Sequence, residues 1–237
     1  DTSLTLFSFY QRDPESNSYG GVPPQGTVLA NPLGKIPVDF YDGDPSFEQY
    51  DRTQMSVAYD FDKRLSDSWS VRLNGRWLRT EADYDSVYAN GLAPDFRTLN
   101  RGVATSREAM DSYTLDNQVE GRLTTGPVNH TVLAGFDYQR LDGHYAPGFG
   151  VGPTQDIFAP VYGLPIVPPA TSRTDLKVNQ YGVYLQDQLQ LGGFILTLAG
   201  RSDWVESKTA TEFGTSRKSD QALTGRAGLT YVFENGM

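Results

Sequence analysis

The chain has two histidines, His130 and His144, and no cysteine. Imidazole and thiolate are the usual activators of nucleophiles and ligands of zinc, so chemistry of that kind would have to rest on these two rings. His130 adjoins the turn-like "TTGPVN", whereas His144 falls in a long polar connection, which sets them at opposite ends of adjacent connections and rules against a shared metal site. Either ring could join a serine or carboxylate dyad, but no spacing motif surrounds them, and a satisfied surface imidazole is the plainer expectation. The stretch "DFYDGDPSFEQYD" carries Asp39, Asp42, Asp44, Glu48 and Asp51, hard oxygen donors of the sort calcium accepts. Its spacing is not that of an EF-hand, so a solvated acidic loop is expected first. "NHT" at 129–131 fits a glycosylation sequon but lies in a short turn and is read as chance. What remains is a set of rings in glycine- and proline-rich connections, among them Tyr19, Tyr41, Tyr50, Tyr84, Tyr88, Phe149 and Tyr162. Such rings serve either as a stacking platform for a ligand or as packing of loop on loop.

The elements that position these residues alternate with period two, as strands do. About eight runs are expected, several of ten residues or more, against a usual strand length of about five or six. Thr53, Met55, Val57, Tyr59 and Phe61 oppose Gln54, Ser56, Ala58 and Asp60; Trp69, Val71, Leu73 and Trp77 oppose Ser70, Arg72, Asn74 and Arg76. In "LGGFILTLAGRSDWV", Phe194, Leu196 and Leu198 oppose Thr197, Arg201 and Asp203. A strand tilted across a bilayer needs about nine to eleven residues, and a barrel with a wet lumen needs apolar residues only at alternate positions. A mean hydropathy of -0.46 is therefore compatible with a membrane barrel.

Connections are expected to alternate strictly: short turns at 62–68, 124–129, 191–193 and the terminal "ENG", long segments at about 12–50, 83–108, 142–175 and 206–220. Outer-membrane barrels show this asymmetry, short on the periplasmic side and long outside. Tyr59, Phe61, Trp69, Phe194, Tyr231 and Phe233 cluster toward the short turns, and Phe9, Tyr10, Trp77, Tyr138 and Trp204 toward the long loops, which implies two aromatic girdles. The fold class expected is all-β, an antiparallel transmembrane β-barrel segment. A net charge of -9 and a pI near 4.7 oppose a phosphate backbone, so nucleic acid is excluded as a partner. The chain opens at Asp1, without a start methionine and inside a strand-like run, so a piece of something longer is expected.

"YGGVPPQGTVLANPLGKIPVDFYDGDPSFEQYDRTQMSVAYDFD", "HTVLAGFDY", "QYGVYLQDQ", "LTLAGRSDWV" and "LTGRAGLTYVFENG" together resemble the barrel of TonB-dependent siderophore receptors, in the ferrichrome and ferric hydroxamate branch. The resemblance spans nearly the whole chain. It implies that residues 1–237 form part of a barrel of about 22 strands, with the plug domain and C-terminal strands absent from this chain. It also implies a ferric siderophore as the transported ligand with no cofactor besides, and a TonB complex engaged through the absent N-terminal region. Further implied partners are outer-membrane lipid and lipopolysaccharide, and phage or bacteriocin on the long loops. Residue by residue, Tyr19 in "SYGGVP" matches a ligand-binding tyrosine, while Gly21 replaces the tryptophan two positions on. Tyr88 in "SVYANG" matches another, with Asn90 in place of its companion tyrosine, and Phe149 in "HYAPGFG" matches a ligand-binding phenylalanine. Two other readings stay open: an outer-membrane barrel hydrolase, since about eight strands could close a small barrel, and a surface receptor for phage or bacteriocin with no transport role.

Overall fold

A computed structural model of the chain describes residues 1–14 and 20–233. Nine strands make one antiparallel sheet: β1 (Thr2–Asp13), β2 (Gln49–Arg64), β3 (Trp69–Leu92), β4 (Thr98–Thr125), β5 (Val128–Tyr145), β6 (Gly148–Asp156), β7 (Thr174–Leu191), β8 (Phe194–Thr211) and β9 (Gly214–Tyr231). Eight follow one another in chain order across the sheet, and β6 pairs with β4 off that path. The sheet is open, since β1 pairs with β2 and β9 with β8.

The period-two pattern sets the register, because a slip of one residue would exchange the two faces of a strand. One face carries Val57, Tyr59, Leu115, Phe136, Val183, Leu185, Leu196 and Leu198, all exposed. The other carries an ionic network. Arg201 donates to Asp137 at 2.6 Å and to Asp203, and the Tyr184 hydroxyl donates to Asp116 at 2.7 Å. An exposed apolar face backed by a charged one has the polarity of a barrel wall between lipid and lumen, the reverse of a soluble sandwich.

Aromatic rings bound the apolar face. Phe194 packs on Tyr231 with centroids 4.6 Å apart near the short turns. Toward the other end Trp77 lies opposite Tyr113, and Tyr138, Tyr181 and Trp204 lie opposite one another in turn. The ten steps from Phe194 to Trp204 cover roughly 34 Å of strand, or about 25 Å of membrane normal at a barrel tilt of ~40°. Phe9 does not belong to this upper belt: it faces Ser56, on the polar side, while Tyr10 takes the apolar one.

Three connections differ from expectation. Most of 83–108 is strand, leaving only the turn between Leu92 and Thr98, and 206–220 shrinks to a two-residue turn between Thr211 and Gly214. The 142–175 connection contains β6. Long and short connections therefore do not alternate strictly. The turns at 65–68, 126–127 and 192–193 are short as expected, and Gly192, at φ 58°, supplies the left-handed conformation a two-residue hairpin requires. The terminal "ENG" turn lies outside the described residues.

Candidate ligand-binding site

β3 and β4 run on past the upper aromatic belt as a paired blade, and β6 adds to the free edge of β4 beyond the end of β5. Tyr88 lies opposite Gly102, and Gly102 opposite Val151; one step along, Ser86 faces Ala104 and Ala104 faces Phe149. Tyr88 and Phe149 therefore share one face of the blade, on the outer two of three strands and about 12 Å apart by strand spacing. Phe149 is 72% exposed. The Tyr88 ring lies across Gly102, where a Cβ would overlap it, so the glycine is the seat of the ring. Rings over glycine recur at Tyr59 on Gly75, Trp69 on Gly121 and Tyr184 on Gly135, each pair directly opposite across two strands.

The opposite face of the blade is buttressed. Leu99, Ile157 and Ile36 are buried against one another, and Val87 and Val103, opposite each other across β3 and β4, are buried as well. Into this packing the acidic loop inserts Asp42 and Asp44, 2% and 0% exposed, so the loop is not the solvated one expected. One oxygen of Asp42 accepts the amides of Gly21 at 3.0 Å and Ala89 at 2.9 Å. Asp44 accepts the amides of Ser46 and Gly163 at 3.1 Å each, and Glu48 accepts the amide of Val87 at 2.9 Å. Arg101, on β4, donates to the carbonyls of Pro153 at 2.6 Å and Gly43 at 3.0 Å, with its remaining nitrogen 3.9 Å from Asp44. Burial pulls the Arg101 pKa below the ordinary arginine value, against the opposing pull of Asp44, yet a guanidinium stays charged throughout. The carboxylates are thus spent on backbone amides and one buried cation. Carboxylates so used tie four chain segments together, and no three metal-ligating side chains gather among the described residues.

At the tip of the blade Phe96 adopts φ 58°, unusual for a non-glycine residue, and its carbonyl accepts from Asn31 at 2.8 Å. Asp95 secures the turn by accepting from the Thr98 hydroxyl at 2.6 Å and from the Thr98 and Arg97 amides, which lowers its pKa to about 2.

Of the three residues singled out by resemblance, Tyr88 and Phe149 are brought to one face, and Tyr19 lies outside the described residues. Gly21, two positions on from Tyr19, is joined through Asp42 to Ala89, the neighbour of Tyr88. Among the other loop rings, Tyr50 and Tyr84 pack edge to face at 5.7 Å, and the Tyr162 hydroxyl bonds the Tyr41 backbone. The first is a cross-strand pair of β2 and β3, and the second is packing of loop on loop. Sequence reasoning missed Arg101, whose only signal was a cation amid small residues in "LNRGVATS".

His130 is not isolated: its Nδ1 lies 2.7 Å from Asp187. The pair sits on the apolar face, where the residues directly opposite His130 are Leu123 and Leu189, so no nucleophile faces the imidazole. The geometry is that of a paired polar group near the membrane edge.

The chain is 38% identical over 239 residues to the ferrioxamine B receptor of Salmonella typhimurium strain LT2, covering 100% of this chain and 34% of that protein. It is 31% identical over 265 residues to the ferrichrome outer membrane transporter/phage receptor of Escherichia coli K12, covering 100% of this chain and 35% of that protein. The chain thus spans about a third of the length of these relatives. Its fold matches the ferric-catecholate import receptor Fiu of E. coli K12 with a TM-score of 0.75 at 18% identity, over 97% of this chain and 38% of that one. The model for "TonB dependent receptor-like, beta-barrel" matches residues 1–237. With that match across the open, lipid-faced sheet described above, the chain belongs to the TonB-dependent receptor β-barrel family, outer-membrane receptors of Gram-negative bacteria and not enzymes.

Proposed function

We propose that this chain is the part of an outer-membrane siderophore receptor whose external blade captures a ferric hydroxamate, which the complete receptor then takes inward with energy from a TonB complex. The observation that carries this reading is the placement of Tyr88, half-buried, and Phe149, exposed, on one face of the blade, held from behind by the Arg101–Asp44 buttress. Relatives named for ferrioxamine and ferrichrome support the hydroxamate class. A ferric hydroxamate carries its iron already saturated by ligand oxygens inside an organic shell. Its receptor needs stacking surfaces and a few hydrogen bonds rather than metal ligands, and no cofactor of its own. Tyr19 is proposed as a third contact ring, and a plug domain with the remaining strands would complete the site.

In the full-length receptor, Tyr88→Ala and Phe149→Ala are each expected to weaken ferric hydroxamate binding by about 10- to 30-fold, the range for removing an anchoring ring. Quenching of intrinsic fluorescence across a panel of ferric hydroxamates measures this. Absence of binding by every hydroxamate would sink the reading, and unchanged affinity in both variants would remove these rings from it.

Outer-leaflet lipopolysaccharide is proposed as a second partner. Lys177, Lys208 and Arg217 stand directly opposite one another on the lipid side, just beyond the Tyr181–Trp204 belt. Like charges in register repel, and among the described residues neither Lys208 nor Arg217 has an acidic partner, so the row suits phosphate groups. Lys208→Glu with Arg217→Glu is expected to reduce co-purifying lipopolysaccharide by at least half, read by phosphate assay of the purified receptor. Equal phosphate in variant and parent would argue against the site. Because the E. coli relative is a phage receptor, phage adsorption to the same external loops is a second reading, with bacteriocins as an analogous partner.

A further inference from the structure

Between the charged band around Arg201 and the aromatic rim, the polar face of the sheet changes character. Thr80, Met110, Gly143 and Leu176 form one directly opposed row across β3, β4, β5 and β7. The row below is Leu78, Ser112, Leu141 and Val178, and the row above is Ala82, Glu108, Tyr145 and Thr174. From these rows Thr80, Ala82, Glu108, Met110, Leu141 and Leu176 line a shallow cavity of about 280 Å³. Its floor is lowered at Gly143, where a Cβ would come within 2.9 Å of the Ala109 carbonyl oxygen. Greasy residues on the lumenal side of a barrel wall are out of place unless something covers them. At the upper edge stands the Glu108 carboxylate. It accepts from the Ser106 hydroxyl at 2.7 Å, and among the described residues no cation pairs with it.

We infer that this shelf is a subsite for an aminoalkyl arm of the siderophore, with Met110, Leu141 and Leu176 against the methylene chain and Glu108 facing a terminal ammonium. The inference rests on the hydroxamate reading above and deepens it. The cavity is smaller than the roughly 300–1,000 Å³ typical of a pocket for a whole ligand, so it suits an arm rather than the iron core. Glu108 lies four residues along β4 from Ala104, the partner of Phe149, or about 13 Å away. A core stacked on the rim could thus lower an extended arm onto the shelf. An anionic or purely neutral arm would leave the carboxylate unpaired, whereas an ammonium gives it a charge-assisted hydrogen bond.

The test compares a ferric trihydroxamate that carries a free primary amine with the same compound N-acetylated, both titrated into the full-length receptor by fluorescence quenching. The parent is expected to prefer the amine form by about 5- to 10-fold. Glu108→Gln, which keeps the shape and removes the charge, is expected to abolish that preference by lowering affinity for the amine compound. Leu176→Trp, which crowds the shelf from a side chain already lining it, is expected to weaken both compounds. Equal binding of the two compounds by the parent, or a preference that survives Glu108→Gln, overturns the subsite while leaving the hydroxamate reading standing. Binding of neither compound by the parent overturns both.

Discussion

Asp44→Ala is expected to detach the acidic loop from the β3–β4 blade and cost about 3–5 kcal/mol of local stability, the range for breaking a buried ion pair from one side. Both side chains of the Arg101–Asp44 pair are 0% exposed, so the substitution strands a cation where water cannot reach it. The amides of Ser46 and Gly163 lose their acceptor in the same step. Hydrogen exchange on the full-length receptor reads the effect directly: protection at these amides should fall toward that of an open loop, while the membrane strands keep theirs. Hydroxamate affinity should fall as well, because Asp42 on the same loop carries the bond to Ala89 beside Tyr88. Asp44→Leu combined with Arg101→Met should recover part of the loss, since apolar residues of similar volume often replace a buried pair at little cost. Undiminished protection in Asp44→Ala would show that the apolar packing of Ile36, Leu99 and Ile157 holds the loop without the charges.

Leu185→Arg is expected to destabilise the barrel by about 2–4 kcal/mol, the cost of a cation on the lipid face near the bilayer midplane. Leu185 is 57% exposed midway between Tyr181, in the upper belt, and the turn at Gly192. Thr197→Arg, on the polar face of the neighbouring strand, serves as the control and should shift stability by less than about 1 kcal/mol, since lumenal substitutions escape the lipid penalty. Urea unfolding of the receptor in lipid vesicles separates the two. Equal costs at both positions would mean that the faces of the sheet are assigned wrongly.

The membrane-crossing parts were legible in the sequence because lipid on one side and water on the other enforce alternation. Phe194, Leu196 and Leu198 against Arg201 and Asp203 is the signature, and β8 has that register and those faces. Where the wall leaves the bilayer, that contrast vanishes. "EADYDSVYANG" and "GTSRKSDQ" read as loop, yet both are strand, carried by ladder bonds to a partner already in register. The buttress was illegible for a different reason. The burial of Asp42 and Asp44 depends on partners distant in sequence, Ala89 for the first and Arg101 and Gly163 for the second, and acidic residues near proline and glycine look solvated until such partners are known. Tyr88 and Phe149 stood out only by resemblance to a family, because nothing in their local spacing distinguishes them from the rings that pack on one another.

β4 runs without interruption for 28 residues, from the turn at Gly126 to the tip near Phe96. Its ladder with β3 keeps a single register from Trp69 to Ala89, through the lipid band and into the ligand rim. Tyr88 and Gly102 are therefore mounted on a stiff mast stepped in the membrane, and their orientation is settled when the barrel folds. A siderophore meeting them pays little ordering entropy, so ligands that reach the rim equally well should be sorted by how long they stay rather than by how fast they arrive.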